Sequence, residues 1–512
     1  MPEYLYPGVY VEEVSTGNKP IEGVSTSTVG FLGIAERGPL EATLLTSFTD
    51  FTSTFGRYVN QGGVDRYLAY AVEGFFQNGG ERCFVMRVAS RTAKSAKLTV
   101  DGKMDVQALG PGIWGDNIVV QTTAPGIKGN GNLFSLIVAY WSGGAPAPAP
   151  DLTNIPPNVP APTLLENFDN LSAIAASSTF YVSQVNNVSS LITLAQKAQG
   201  VPVVMATATP LGPGDDGGQI EAADFEGDDS DPTNATGLAG LGDVDEISIV
   251  CCPDEFYFGD GDKQITNLLV EQCQNLKDRF AILQAPQNAG KPLNNNPSLN
   301  SNYAAYYYPW LQIINPDTGV GLLVPPGGHI AGIYSRSDTN RGVQKDPANE
   351  VILGINQLQL QVNNQQQAIL NPKGVNCLRY FKGLGNLVWG GRTTASDPDW
   401  KYISVRRLFI FIEKSIERGT QWVVFEPNDE TLWATARRSV SDFLTGLWMN
   451  GMLQGATKEQ AFFVRCDRTT MTQADLDNGR FIMLIGVAPV KPAEFVIFRI
   501  GQWTGGSDVT EG

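Results

Sequence analysis

The chain has 512 residues, enough for about three domains at roughly 150 residues each. Its 42% hydrophobic and 10% aromatic content supplies several cores and excludes wholesale disorder. The formal charge is −16, yet fifteen acids and no Lys or Arg fall between Asp215 and Asp262, so the rest carries only −1 and a broadly basic, nucleic-acid-binding surface is excluded.

In chain order, residues 1–20 read as an arm. Val9, Tyr10, Val11 and Val14 are β-formers, with Glu12 among them, and the piece is too short to fold alone. The alternative is an ordinary N-terminal strand of the chain's own sheet. Residues 21–90 read as α/β: a strand over 27–35, a helix from Phe48 to Phe55, a helix over 65–76 stopped by Asn78-Gly79-Gly80, and a strand over 83–88. Strands at 97–100, 117–122 and 133–140, then a Pro-rich tract over 143–162, mark a small β-rich insertion.

From 165 to 375 the α/β pattern returns. A helix is expected over 191–199, strands over 201–206 and 247–251, a helix over 263–279 and a strand over 280–283. That alternation argues for a mostly parallel sheet with helices on its faces. The Gly/Asp stretch 211–243 reads as a solvated loop, with a calcium site as its alternative, because the order of its acids does not fit the EF-hand loop.

Residues 376–500 hold the clearest helices. Over 404–418, Val405, Leu408, Phe409, Ile412 and Ile416 share one face. A second helix starts after Asn428, read as its N-cap, with Leu432, Trp433, Ala436, Val440, Phe443, Leu444 and Leu447 inward and Arg437, Arg438 and Ser441 off that face. Strands are expected over 480–487 and 494–502. Between 376 and 502 there are sixteen Lys/Arg and thirteen Asp/Glu, so this end is weakly positive.

The search for chemistry returns little. Six cysteines, none in a C-x-x-C pair, read as small buried hydrophobes of a reducing compartment. The one histidine, His329 in PPGGHIAG, rules out multi-histidine metal sites and reads as structural. There is no nucleophile elbow and no phosphate-binding loop, and GLAGLG at 237–242 has its glycines out of order for a dinucleotide fingerprint. No catalytic residue, cofactor or metal is assigned. The N-terminus lacks the apolar core of a signal peptide and no apolar run is long enough for a membrane span, so synthesis and assembly in the cytoplasm are expected, with no direct membrane insertion.

Several segments in order resemble one family. PGVYVEEVSTGNKPIEGVSTSTVGFLGIAERGP near the start, FFQNGGERCFVMRV at 75–88, PGIWGDNIVV at 111–120, VPPGGHIAGIYSRSDTNRGVQKDPANE at 324–350, and the run from NCLRYFKGLGNLVWGGRTT through RRLFIFIEKSIERGTQWVVFEPND to EFVIFRIGQ are similar to the contractile tail sheath proteins of phages, R-type pyocins and extracellular injection systems. The Pro-rich tract 143–162 and the acidic stretch 211–243 fall outside the resemblance and read as surface decorations.

The resemblance implies an α/β (mixed α+β), multi-domain subunit. Its parts would be an N-terminal arm at 1–20, an inner-layer domain joining 21–90 with 376–494, a β-rich outer insertion at 91–175, a subtilisin-like middle domain at 176–375 and a C-terminal arm strand at 495–512. It implies stacked hexameric rings of this chain around an inner tube, contraction that drives the tube through a target envelope, baseplate and terminal cap proteins as further partners, and no enzymatic activity or nucleic-acid binding. The arm strands would be Val9, Tyr10, Val11, Glu12 and Val14 at one end and Phe495, Val496, Ile497, Phe498, Arg499 and Ile500 at the other, joining sheets of neighbouring subunits. Arg437, Arg438 and Ser441 would touch the tube. The competing readings are an α/β hydrolase and a soluble ligand-binding protein built around the acidic loop.

Overall fold

The computed structural model describes residues 19–61, 63–186, 188–231, 233–289, 295–297 and 299–498. The arm residues Val9, Tyr10, Val11, Glu12, Val14, Arg499 and Ile500 lie outside them.

Short apolar runs bounded by turns build the centre of the molecule. Six such runs pair in parallel, in the spatial order Val375–Phe381, Ala304–Tyr308, Phe280–Gln284, Ile249–Cys251, Val29–Gly33 and Cys83–Arg87. Antiparallel strands close both sides: Gly385–Trp389 and Glu350–Val351 at one, Thr43–Leu45 at the other, giving nine strands. Residues from 21–90, from 176–375 and from beyond 376 thus contribute neighbouring strands of a single sheet.

Parallel sheets are stable when both faces are covered, and the side chains alternate accordingly. Phe31, Ile249, Ile282 and Tyr307 enter one core with the helices Phe48–Phe55, Leu68–Gln77 and Gly327–Arg341. Leu32, Val250, Leu283 and Tyr306 enter the opposite core with the helix Gln264–Leu276. The PPGGHIAG segment makes the first of these layers thin. A Cβ on Gly328 would overlap the Ala71 backbone, and one on Gly74 would overlap the His329 ring, so the two helices touch backbone to backbone. His329 is buried there and burial lowers its pKa to about 4, which keeps it neutral.

A second body lies on the 97–211 stretch. The antiparallel sheet Leu164–Ser172, Leu133–Tyr140, Ile118–Thr123, Thr209–Pro210 and the antiparallel sheet Ile192–Gln196, Met104–Ala108, Lys97–Val100 share one apolar core. Here the expected helix over 191–199 is corrected. Ile192 and Leu194 point inward with Thr193 between them, and this period of two pairs the segment with Met104–Ala108. The expected strand over 201–206 is also absent. That segment lies beside Ile118–Thr123, held by Met205 N to Thr122 O at 3.0 Å and Lys103 Nζ to Val201 O at 3.1 Å, without a ladder.

The acidic stretch is only partly a solvated loop. Asp228, Asp229 and Asp231 are exposed, but Ala222–Glu226 and Gly237–Gly242 are helices, and Phe225, Leu238 and Leu241 are buried against the central sheet. Among the described residues no group of three or more His, Cys, Asp or Glu could hold a metal ion. The helix expected over 65–76 begins only at Leu68. Asp65 belongs to a two-stranded ribbon, and the buried Asp254 carboxylate accepts from Tyr67 N at 2.9 Å, capping the helix from across the sheet.

The C-terminal helices form as expected, over Ile403–Gly419 and Glu430–Met449. The first is pinned to the Gly327–Arg341 helix by a buried ion pair: Arg407 Nη1 and Nη2 reach Asp338 Oδ1 and Oδ2 at 2.9 and 2.6 Å, and Nη2 also donates to Thr26 O at 2.8 Å. Burial opposes the Arg407 charge, but the Asp338 carboxylate outweighs it and raises the guanidinium pKa. Removing one member of such a pair leaves an uncompensated buried charge, so Asp338→Ala should lower the unfolding free energy by about 3–5 kcal/mol in a denaturant titration.

Glu255 is a second buried carboxyl, accepting from Thr266 Oγ1 at 2.5 Å and from Gln284 N at 3.0 Å. Burial pushes its pKa up to about 8. The unfolded chain therefore releases this proton first, and stability is lost as pH rises from the ordinary carboxylate range through about 8. Glu255→Gln should gain stability relative to the unsubstituted chain as pH rises from 6 to 9. A gap between the two that does not change with pH would contradict this.

Candidate subunit interface

The second C-terminal helix is capped by Asp429, whose carboxylate accepts from Leu432 N at 2.9 Å. Asn428, the expected cap, instead accepts from Trp433 Nε1 at 2.7 Å. Leu432, Trp433, Ala436, Val440, Leu444 and Leu447 are buried, as their spacing requires. Arg437 and Arg438 are exposed on the opposite side and Ser441 is half-buried; Arg438 Nε lies 3.9 Å from the Asp442 carboxylate one turn on.

Beside this helix sits a two-stranded antiparallel hairpin, Phe462–Arg465 with Leu484–Val487. The strand expected from Arg480 starts only at Leu484, since Arg480 N closes a turn onto Asp475 O at 2.8 Å. Each strand of the hairpin has one outer edge without a ladder partner among the described residues. Phe463 and Leu484 are each 50% exposed. A two-stranded hairpin is marginal by itself; this one leans on Val440, Leu444 and Leu453.

The chain then runs back toward the large sheet. Pro489 bridges to Leu453, Pro492 turns inward, and Glu494 enters a ring of donors. Arg392 holds it with two bonds, Nε to Oε1 at 2.7 Å and Nη2 to Oε2 at 2.8 Å. Asn371 Nδ2 donates to Oε1 at 2.7 Å, Tyr402 Oη to Oε2 at 3.1 Å, and Lys401 Nζ stands 3.3 Å away. Burial opposes this charge, but the Arg392 and Asn371 bonds outweigh it and hold the pKa at about 2. The grip is present above the ordinary carboxylate range and is lost only as pH falls through about 2.

Immediately past Glu494 the side chains lose contact with the body. Phe495, Val496, Ile497 and Phe498 are 69, 70, 78 and 82% exposed. The strand expected over 494–502 is not formed across the described part, where no strand among the described residues lies alongside to complete a ladder. The four apolar residues and the two arginines singled out from the sequence are all exposed, whereas Glu494, whose partners at 371, 392, 401 and 402 are distant in the chain, left no local signal.

With this geometry in view, residues 231–394 match the phage tail sheath protein central domain and residues 395–502 the phage tail sheath C-terminal domain, together just over half of the chain. The chain belongs to the phage tail sheath family. Among curated sheath relatives, the tail sheath protein of Enterobacteria phage T4 is 26% identical over 227 residues, 44% of this chain and 34% of that protein. The tail sheath protein of Vibrio phage KVP40 is 27% identical over 192 residues, 37% of this chain and 28% of that one. The chain spans about a third of the length of these curated relatives.

Solved structures show the sheath fold over nearly the whole chain. The helical sheath of the anti-feeding prophage in its contracted state matches with a TM-score of 0.59 at 23% identity, covering 98% of this chain and 99% of that one. The contracted PVC sheath of an extracellular contractile injection system gives 0.57 at 21% identity, covering 98% and 99%. The sheath tail protein of Listeria innocua gives 0.58 at 11% identity, covering 92% and 96%.

Side chains this exposed contribute little to the isolated fold, and surface substitutions of that kind stay within about 0.5 kcal/mol. The double substitution Ile497→Asp with Phe498→Asp should therefore leave the unfolding midpoint of the soluble subunit unchanged in a thermal melt. A large drop would mean that these residues pack against their own body.

Proposed function

We propose that the chain is the structural subunit of a contractile sheath. It polymerises as helically stacked hexameric rings around an inner tube and shortens to drive that tube through a target envelope. The observation that carries the reading is the run Phe495–Phe498: consecutive apolar β-formers, exposed on both faces, following a hairpin whose two outer edges have no ladder partner among the described residues. A strand that is apolar on both faces is satisfied only inside a sheet covered on both sides, and edge pairing by an extended segment is an established mode of association.

On this reading Phe495, Val496, Ile497, Phe498, Arg499 and Ile500 form one arm strand and Val9, Tyr10, Val11, Glu12 and Val14 the other. Each adds to a sheet of a neighbouring copy. A head-to-tail contact closes into a ring or, where its rotation does not close, propagates, and stacked rings joined in this way extend into a tube. Arg437, Arg438 and Ser441 face the inner tube, through contacts that are individually weak, about 0–1 kcal/mol, and therefore breakable during contraction. Baseplate and cap proteins bind the ends of the stack. The contracted assemblies named for the anti-feeding prophage and PVC relatives support this account.

The subunit divides into the arms, an inner layer from 21–90 with 376–494, a subtilisin-like middle at 176–375 and an outer insertion at 91–175, with the inner layer and middle sharing the central sheet and Ile192–Gln196 and Thr209–Pro210 pairing with strands of the insertion. It works as part of a phage tail or tail-like particle assembled in the cytoplasm, binds no nucleic acid and performs no catalysis. The hydrolase alternative is disfavoured by His329, whose buried Nδ1 has no hydrogen-bond partner among the described residues, whereas a catalytic triad needs a carboxylate at that atom.

Negative-stain microscopy of the purified chain should show rings or tubes, and the Ile497→Asp, Phe498→Asp variant should remain a folded monomer. Arg437→Glu with Arg438→Glu should spare sheath self-assembly yet yield particles that are contracted or lack an inner tube. Extended, tube-filled particles at normal yield from that charge reversal would remove the inner-tube assignment.

A further inference from the structure

The sheath reading needs the C-terminal strand to leave every subunit at the same place and in the same direction, since each copy must meet its neighbour in one register. Nothing in the run Phe495–Phe498 sets that direction, because its side chains touch so little of the body. The fixing must come from the residues just before it.

Two attachments precede the run. The first, the Leu453–Pro489 bridge with Gln454 N to Ala488 O at 2.8 Å, ties the segment to the hairpin and the Glu430–Met449 helix. The second is Glu494, and its partners belong to a different part of the molecule. Asn371 lies in the turn that precedes the sheet strand Val375–Phe381, Arg392 follows the sheet strand Gly385–Trp389, and Lys401 and Tyr402 immediately precede the Ile403–Gly419 helix. Between the two attachments the backbone is lightly held: Val490 N donates to Met452 O at 3.4 Å, and the backbone N–H of Glu494 donates to Pro492 O at 3.1 Å.

The Glu494 site has the marks of a built anchor. Its guanidinium partner uses the planar two-bond fork that fixes orientation as well as distance. Arg392 is itself held, with Nη1 donating to Asn371 O at 3.1 Å and its own N–H to Asn376 Oδ1 at 2.8 Å. Asn376 in turn donates from Nδ2 to Arg392 O at 2.7 Å, so the fork is locked onto a buried residue of the central sheet. Both carboxylate oxygens of Glu494 are used.

We propose that Glu494 is the positioning residue of sheath assembly: gripped by Arg392, Asn371 and Tyr402, it makes the central sheet, and not the hairpin beside it, the body that aims the C-terminal strand at the neighbouring subunit. This rests on the reading of Phe495–Phe498 as an assembly strand. Its consequence is mechanical. When a subunit turns during contraction, the pull from its neighbour is delivered through Glu494 to the central sheet, while the open-edged hairpin is free to serve as a receiving surface.

The test uses the full chain. Spin labels are placed at Lys382→Cys, on the exposed tip of the sheet hairpin, and at Ile497→Cys; the native cysteines are all buried. In the soluble subunit before assembly, the pulsed-dipolar distance distribution should be narrow. It should broaden severalfold in Glu494→Ala and in Arg392→Lys, which keeps the charge but loses the fork, while the melting midpoint stays within a few degrees.

Without labels, the same two substitutions should cut the yield of tubes at least tenfold, and Glu494→Asp should restore part of it. An unchanged distance distribution in Glu494→Ala overturns the proposal, as do wild-type tubes from that variant. Normal tubes from the Ile497→Asp, Phe498→Asp chain would instead sink the assembly-strand reading itself, so the two failures are distinguishable.

Discussion

A parallel sheet demands cover on both of its faces, and this chain meets the demand at its centre while leaving it unmet at its end. Phe31, Ile282 and Tyr307 on one side and Leu32, Leu283 and Tyr306 on the other are all sealed beneath helices. Phe495, Val496, Ile497 and Phe498 have the same two-faced apolar character and are left largely exposed by the described residues. At roughly 25 cal/mol per Å2 of apolar surface, four such side chains represent several kcal/mol available to an association that buries them. The molecule is therefore stable as a body and incomplete as a surface.

Around that contrast the buried charges have clear roles. Arg407 with Asp338 locks the Ile403–Gly419 helix to the helix covering the sheet, and Lys414 reaches Asp278 at 2.5 Å from the same helix. Glycines at 74 and 328 let the covering helices approach so closely that a methyl group would not fit. The result is a body with little internal slack, which on the proposed sheath reading suits it to moving as a unit while terminal strands keep neighbours connected. Glu494 stands at the boundary between the two regimes.

What could be read from sequence follows from how local each signal is. The Ile403–Gly419 and Glu430–Met449 helices announce themselves because their apolar residues recur at helical spacing over several turns. Four of the central strands, Val29–Gly33, Cys83–Arg87, Ile249–Cys251 and Phe280–Gln284, announce themselves as apolar runs between turns, whereas Ala304–Tyr308 and Val375–Phe381 were not expected. Ile192–Gln196 was expected as a helix because SLITLAQ carries both periods, and only pairing with Met104–Ala108, more than eighty residues earlier, decides between them. Phe225 was hidden in an acidic stretch whose composition suggests a loop, though the chain buries it fully. The cap supplied by Asp254 to Tyr67 and the ring of donors around Glu494 had no local trace, since each joins residues that only the folded topology brings together. The exposed run at 495–498 was legible for the opposite reason: its two-faced apolar pattern is complete within the segment.

The central claim is that this run is satisfied by another copy of the chain and not by its own. Mixed cross-linking tests it most directly. One preparation carries Ile497→Cys and a second carries a cysteine on a hairpin edge, at Phe463 or Leu484; the two are mixed under assembly conditions and oxidised. The account predicts a disulfide between different chains for one of the two edges, formed only in assembled tubes. Tubes that form normally while neither edge cross-links to residue 497 of another chain would contradict it.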